Sequence, residues 1–175
     1  MTITFGFDDL LSYTDWERAQ WHAWFREQGP KALAVDLGAN NTGRMKNVGE
    51  LVRHIFSAEK RYVERALQVP LSDTSAIPAD DVEALFDFGA VSRRSMRELL
   101  MTFPVSEWNA PREMAFGSNK WMVNSRKMIL QAVTHEIRHW AQIATFLRQA
   151  GYSVGMRDLI ASPLFPTEEG VSALR

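Results

Sequence analysis

Hydrophobic residues recur at three-to-four spacing in four long stretches of the chain, which aligns apolar side chains along one face of an α-helix. In the first, about residues 7–28, Leu10, Tyr13, Trp21, Trp24 and Phe25 keep this period, and Gly29-Pro30 ends it. The second, about residues 47–67, opens on Asn47, whose side chain suits a helix N-cap, with Glu50 three residues later to reach back. The third, about residues 80–103, opens on Asp80-x-x-Glu83 and stops before Pro104; Val82, Leu85, Phe86, Met96, Leu99, Leu100 and Phe103 share one side. The fourth and longest, about residues 124–150, runs into Gly151, a residue suited to a left-handed C-terminal cap.

The intervening stretches hold most of the helix breakers. Residues 30–46 read as a loop, with Gly38-Ala-Asn-Asn-Thr-Gly43 too polar and flexible for a helix or strand. Between Pro111 and Val123, Arg112-Glu-Met-Ala-Phe116 and Lys120-Trp-Met-Val123 flank Gly117-Ser-Asn119, the pattern of a short hairpin. The predicted fold is all-α: a four-helix bundle with a short β-hairpin-like segment before the last core helix and an irregular C-terminal tail. A single domain is expected over residues 1–175, with its core at about 7–151 and an extension at 152–175.

Composition narrows the function classes. At 175 residues and 46% hydrophobic content, the chain can bury a substantial core. Twenty Lys+Arg against twenty-one Asp+Glu leave a formal charge of −1, which lacks the basic footprint of a nucleic-acid binder. No cysteine is present, so thiolate ligands, disulfides and a Cys nucleophile are excluded, and any thiol chemistry needs an external thiol. No segment has the apolar length of a membrane span and no signal peptide is evident, so a cytoplasmic location is expected.

The histidines carry the candidate chemistry. On the fourth helix His135 and His139 sit together at one flank of the apolar arc formed by Ile129, Val133, Ile137, Trp140, Ala144 and Leu147. Residues four apart lie one above the other, so both imidazoles can point at one ion without distorting the backbone. His54 lies at the edge of the second helix's apolar arc, placed to add a third ligand. Three neutral imidazoles from two helices leave coordination positions open, as in catalytic rather than structural zinc sites. The competing reading of an i,i+4 His pair is an idle surface pair. His22, between Trp21 and Ala23, reads as a packing or surface residue.

Glu59 falls within the second helix's apolar arc, where a charge is costly unless paired or close to a cation. Glu17 and Glu136 also fall on apolar arcs, so a structural ion pair and a functional role are both open for these carboxylates. Gln142, one turn after His139, is placed either to orient a ligand side chain or to face solvent.

The string His135-Glu-Ile-Arg-His139 also matches H-E-x-x-H, the zinc-protease motif in which Glu136 would be the general base. Its extension to a third ligand fails because Gln142 stands at the required glycine. Glu168 and Glu169, the downstream alternatives, lie in a proline-interrupted tail.

Two segments together resemble the DinB/YfiT-like family of metalloenzymes: Asn47-Val-Gly-Glu-Leu-Val-Arg-His54-Ile-Phe-Ser-Ala-Glu59, and His135-Glu-Ile-Arg-His139-Trp-Ala-Gln142 followed by Leu147-Arg148-Gln-Ala-Gly151. The likeness runs from the aromatic first helix to Gly151. Trp140-Ala141 departs from it, because the family often has Arg-Gly there; this leaves the ligand positions intact and changes the residues beside them. The resemblance implies a four-helix bundle with His54, His135 and His139 around nickel, zinc or a similar divalent ion, manganese and iron being further choices. It does not imply one reaction, since relatives include thiol-using transferases and isomerases, proposed hydrolases and many proteins without an assigned activity.

The leading expectation is therefore a metal-dependent enzyme that activates a low-molecular-weight thiol or water against a small electrophile, with Glu59 or Glu136 moving the proton. The rival is a non-catalytic bundle, metal-braced or metal-free, whose surface binds a partner. A homodimer is expected from the family, and exposed aromatics would allow one.

Overall fold

The computed structural model describes residues 6–38, 45–116 and 118–165. Four long helices form its frame: α1 (Phe7–Gln28), α3 (Val48–Leu67), α4 (Val82–Thr102) and α5 (Ser125–Gln149). A four-residue helix, α2 (Pro30–Leu33), follows α1, and an antiparallel hairpin of β1 (Arg112–Phe116) and β2 (Asn119–Val123) precedes α5. The architecture is the expected bundle with its hairpin. Helix α3 is the central element, packed against both α4 and α5.

Local chemistry explains most of the boundaries. Asn47 caps α3 by accepting from the Glu50 N–H at 2.9 Å, while Glu50 reaches back one residue further than expected, to the Lys46 N–H at 2.8 Å. For α4 the cap is Asp81, which accepts from the Ala84 N–H at 3.1 Å, so the start lies one residue beyond the predicted Asp80-x-x-Glu83 box. Glu83 is drawn instead to Arg26 of α1. At the end of α5 the chain turns through Gly151 at φ 86°, and the Tyr152 N–H returns to the Leu147 carbonyl at 3.0 Å.

The expected loop at 30–46 is more ordered than its sequence suggested. Pro30 occupies the first turn of α2, where its missing N–H costs nothing, and Ala32 and Leu33 are buried against the core. An isolated bridge then pairs Asp36 with Asn47. Most of Gly38-Ala-Asn-Asn-Thr-Gly43 lies outside the described residues, as do Gly117 in the hairpin turn and the tail beyond Phe165. Strand β2 starts at Asn119, which pairs with Phe116, one residue earlier than the sequence pattern indicated.

The core is layered along the bundle axis. One apolar cluster gathers Trp21, Phe25, Phe56, Phe86, Trp140 and Ile143, and the other gathers Leu11, Val63, Met96, Leu99, Ile129 and Val133. On every long helix the residues between these clusters are polar and buried: Thr14, Glu17 and Arg18 on α1, Glu59 on α3, Ser92 and Arg93 on α4, and Glu136 on α5. A charged layer thus crosses the bundle between two apolar ones.

Candidate metal centre

Helix α3 brings His54 against the His135 and His139 pair of α5, and all three rings are half-buried. His135 Nε2 is the hub, 3.1 Å from His54 Nε2 and 3.0 Å from His139 Nε2. The rings stand edge to face, with interplanar angles of 62° to 81°. Separations of 3.0 and 3.1 Å suit nitrogens that each lie about 2.1 Å from a common ion.

The proton inventory also favours a cation. His139 Nδ1 meets Gln142 Oε1 at 2.5 Å, so Nδ1 carries the proton and Nε2 keeps its lone pair toward the cluster. With His135 Nε2 unprotonated, its lone pair faces that of His139 Nε2; with it protonated, its one N–H is shared between two neighbours and it has no in-plane lone pair to offer either. A divalent ion at the point of convergence satisfies all three at once. Burial holds the His135 pKa down to about 3, with His139 and His54 adding to the depression. Burial also lowers that of His139, against the opposing hydrogen bond from Gln142. Both imidazoles are neutral near pH 7, the form that ligates metals.

The carboxylates lie in the charged layer. Glu136 Oε1 accepts from Arg18 Nε at 2.5 Å and from Trp140 Nε1 at 3.1 Å, and its Oε2 accepts from Arg18 at 2.7 Å and Arg93 at 2.8 Å. Burial alone would raise the pKa of Glu136, but Arg18 and Arg93 outweigh it and hold the carboxyl below its usual range. Burial likewise opposes the charge on Arg18, and Glu136 and Glu59 overcome it, so the guanidinium stays charged. Glu59 uses Oε2 for Arg18 at 2.8 Å and Arg93 at 3.1 Å, leaving Oε1 buried without a hydrogen-bond partner. Gly89 admits this arrangement: its carbonyl accepts from Arg18 at 3.1 Å, and a Cβ there would come within 2.9 Å of the Phe56 ring.

Sequence reasoning singled out Glu59 and Glu136 and missed their cationic partners. Arg18 and Arg93 were detectable by the same test, since each occupies an inward position on its helix. His22 packs flat on Phe86, with ring centroids 4.4 Å apart, away from the three imidazoles. The H-E-x-x-H reading finds its histidines paired, with their third companion His54 coming from α3 rather than from downstream. Glu168 and Glu169 lie outside the described residues.

The sequence model of the DinB family matches residues 1–168, nearly the whole chain. A search of curated proteins finds no match.

Proposed function

The chain belongs to the DinB family, and from that premise we propose that it is a divalent-metal enzyme whose ion is held by His54, His135 and His139. The observation that carries this reading is the convergence of three half-buried Nε2 atoms with one His139 tautomer selected by Gln142. The donor set is entirely imidazole nitrogen, which suits nickel or zinc before manganese or iron. Bound there, the ion would lower the pKa of a thiol or a water so that the nucleophile is available near neutral pH.

The protein's own residues divide the remaining work. Gln142 orients His139, and Glu136 anchors the turn of α5 that carries His135. Both Glu136 oxygens are engaged by Arg18 and Arg93, which supports a positioning role over that of a base. Glu59 Oε1 is the carboxylate oxygen of this pair without a hydrogen bond, so of the two Glu59 is the one free to take part in moving a proton. The substrate class we propose is a small electrophile attacked by a low-molecular-weight thiol or by water. The absence of cysteine requires that such a thiol come from outside. No helix of the described residues is long and apolar enough to cross a membrane. A zinc-protease role is less well supported, because Glu136, its required base, is held in the arginine contacts.

Metal analysis of protein purified without a histidine tag tests the proposal. One divalent ion per chain is expected, and it should be lost from His54→Ala; no stoichiometric metal, or full retention by that variant, would overturn it. With the metal established, thiols and electrophiles are screened against a metal-free control. Equal rates with and without metal would favour the non-catalytic brace.

A further inference from the structure

At the end of the bundle where α1 and α5 begin and α4 finishes, a cleft of about 620 Å³ opens to solvent. Small-molecule sites commonly fall between about 300 and 1,000 Å³. Phe7 and Leu10 of α1, Leu100 of α4, Trp108 of the turn that follows, and Ile129 and Leu130 of α5 make its walls apolar. The turn holds its shape through the edge of Trp108 against Phe103, with ring centroids 4.9 Å apart, and through the Trp108 carbonyl, which accepts from the Arg126 N–H at 3.1 Å. These walls can be reached from outside: Leu130 is 43% exposed, and Val105, which also lines the cleft, is 88% exposed.

Arg126 is the one ionised side chain among the lining residues, and Asn109 is the other polar one. The Arg126 backbone is engaged by Trp108, but its guanidinium makes no hydrogen bond or ion pair among the described residues. Glu107, the acid of the neighbouring turn, is taken by Arg112 at 2.9 Å. The cleft thus joins an open apolar surface to one cation without a counter-ion. A mostly apolar hollow with a single charged group that fixes orientation is the usual composition of a ligand site.

We infer that this cleft binds a free medium-chain fatty acid. The alkyl chain lies among Phe7, Leu10, Leu100 and Trp108, where burial removes it from water. The carboxylate meets Arg126, whose planar fork matches its two oxygens. An anion there also lies against the positive end of α5, whose first turn holds no carboxylate of its own. The site is independent of the three imidazoles: Arg126 precedes His135 by nine residues, which is half a turn around α5 and about 13 Å along it.

The test is an NMR titration of the full chain with octanoate below its micellar concentration, following the Trp108 indole N–H signal, which Trp108→Phe assigns. Octanamide and octylammonium serve as neutral and cationic comparators of the same chain length. Octanoate should shift the Trp108 signal saturably, octanamide should bind about tenfold more weakly, and octylammonium should not bind. Arg126→Met keeps the apolar stem and should weaken octanoate about tenfold, to the level of octanamide. Leu130→Glu, four residues further along α5 at an exposed position, offers Arg126 a carboxylate of the chain's own and should abolish binding. His54→Ala should leave binding unchanged. The inference is overturned by any of four results: no saturable shift; octanoate affinity that survives Arg126→Met or is matched by octylammonium; nuclear Overhauser contacts from Ile3 or Phe5 to Trp108 in the free chain, which would give the cleft to the chain's own N-terminal residues; or a dimer that Leu130→Glu dissociates, which would give it to a second copy.

Discussion

His135 and Glu136 are adjacent on α5 and enter opposite environments. His135 Nε2 faces two other imidazole nitrogens, at 3.1 and 3.0 Å, the convergence of three neutral donors that suits a metal ion. Glu136 faces two guanidinium groups and an indole N–H, a group in which every carboxylate oxygen lone pair finds a donor. The first is built by α3 and α5 and the second brings Arg18 of α1 and Arg93 of α4 to α5, so the two residues of one helix turn answer to different neighbours. The contrast separates a residue that holds the fold from one that waits for a ligand, a distinction that burial alone does not make. Glu136 is the more deeply buried of the two, and it is the one already satisfied.

The comparison is open to attack at four points. Glu136→Ala leaves Arg18 and Arg93 to share Glu59 as their one remaining buried carboxylate, and a loss of about 3–5 kcal/mol in urea-unfolding stability is expected. An unchanged denaturation midpoint would refute the structural role given to Glu136.

Glu17, beside the charged layer, sharpens the contrast through pH. Burial and then the charge of Glu136 raise its pKa from 4.5 to about 7. Between those values the folded state binds the proton more tightly than the unfolded chain, so stability falls as pH rises from 4.5 to about 7. The span corresponds to about 3 kcal/mol. Glu17→Gln should flatten this slope, as measured by unfolding at a series of pH values.

His54→Ala should weaken divalent-metal affinity at least about 100-fold by competition titration, the upper end of what losing even an outer hydrogen bond costs. Its urea midpoint in the metal-free state should move far less than that of Glu136→Ala. The smallest effect is expected from Gln142→Ala, which frees the His139 tautomer and should weaken metal binding about tenfold in the same titration. The position is exposed, so stability should be unchanged.

Much of the bundle was legible in the chain because a helix announces itself locally. The period of apolar residues, the Asn47 cap and Gly151 are all read within a few positions of one another, and each stands where the structure uses it. The i,i+4 relation of His135 and His139 is equally local. Its completion by His54 is not, since the two segments lie 81 residues apart and only the packing of α3 against α5 unites them. Family resemblance supplied that link before the geometry did.

What the sequence determined by itself, then, were the four long helices, most of their ends and the two stacked histidines, because backbone hydrogen bonding and side-chain periodicity act over one or two turns. Tertiary structure alone decided the partners of the buried charges. An inward Glu59 or Glu136 states that a cation or proton must be found, but Coulomb's law acts through space, and Arg18 and Arg93 come from helices distant in the chain. The same holds for Arg157, whose guanidinium reaches the Trp21 ring only when the chain after Gly151 folds back over α1.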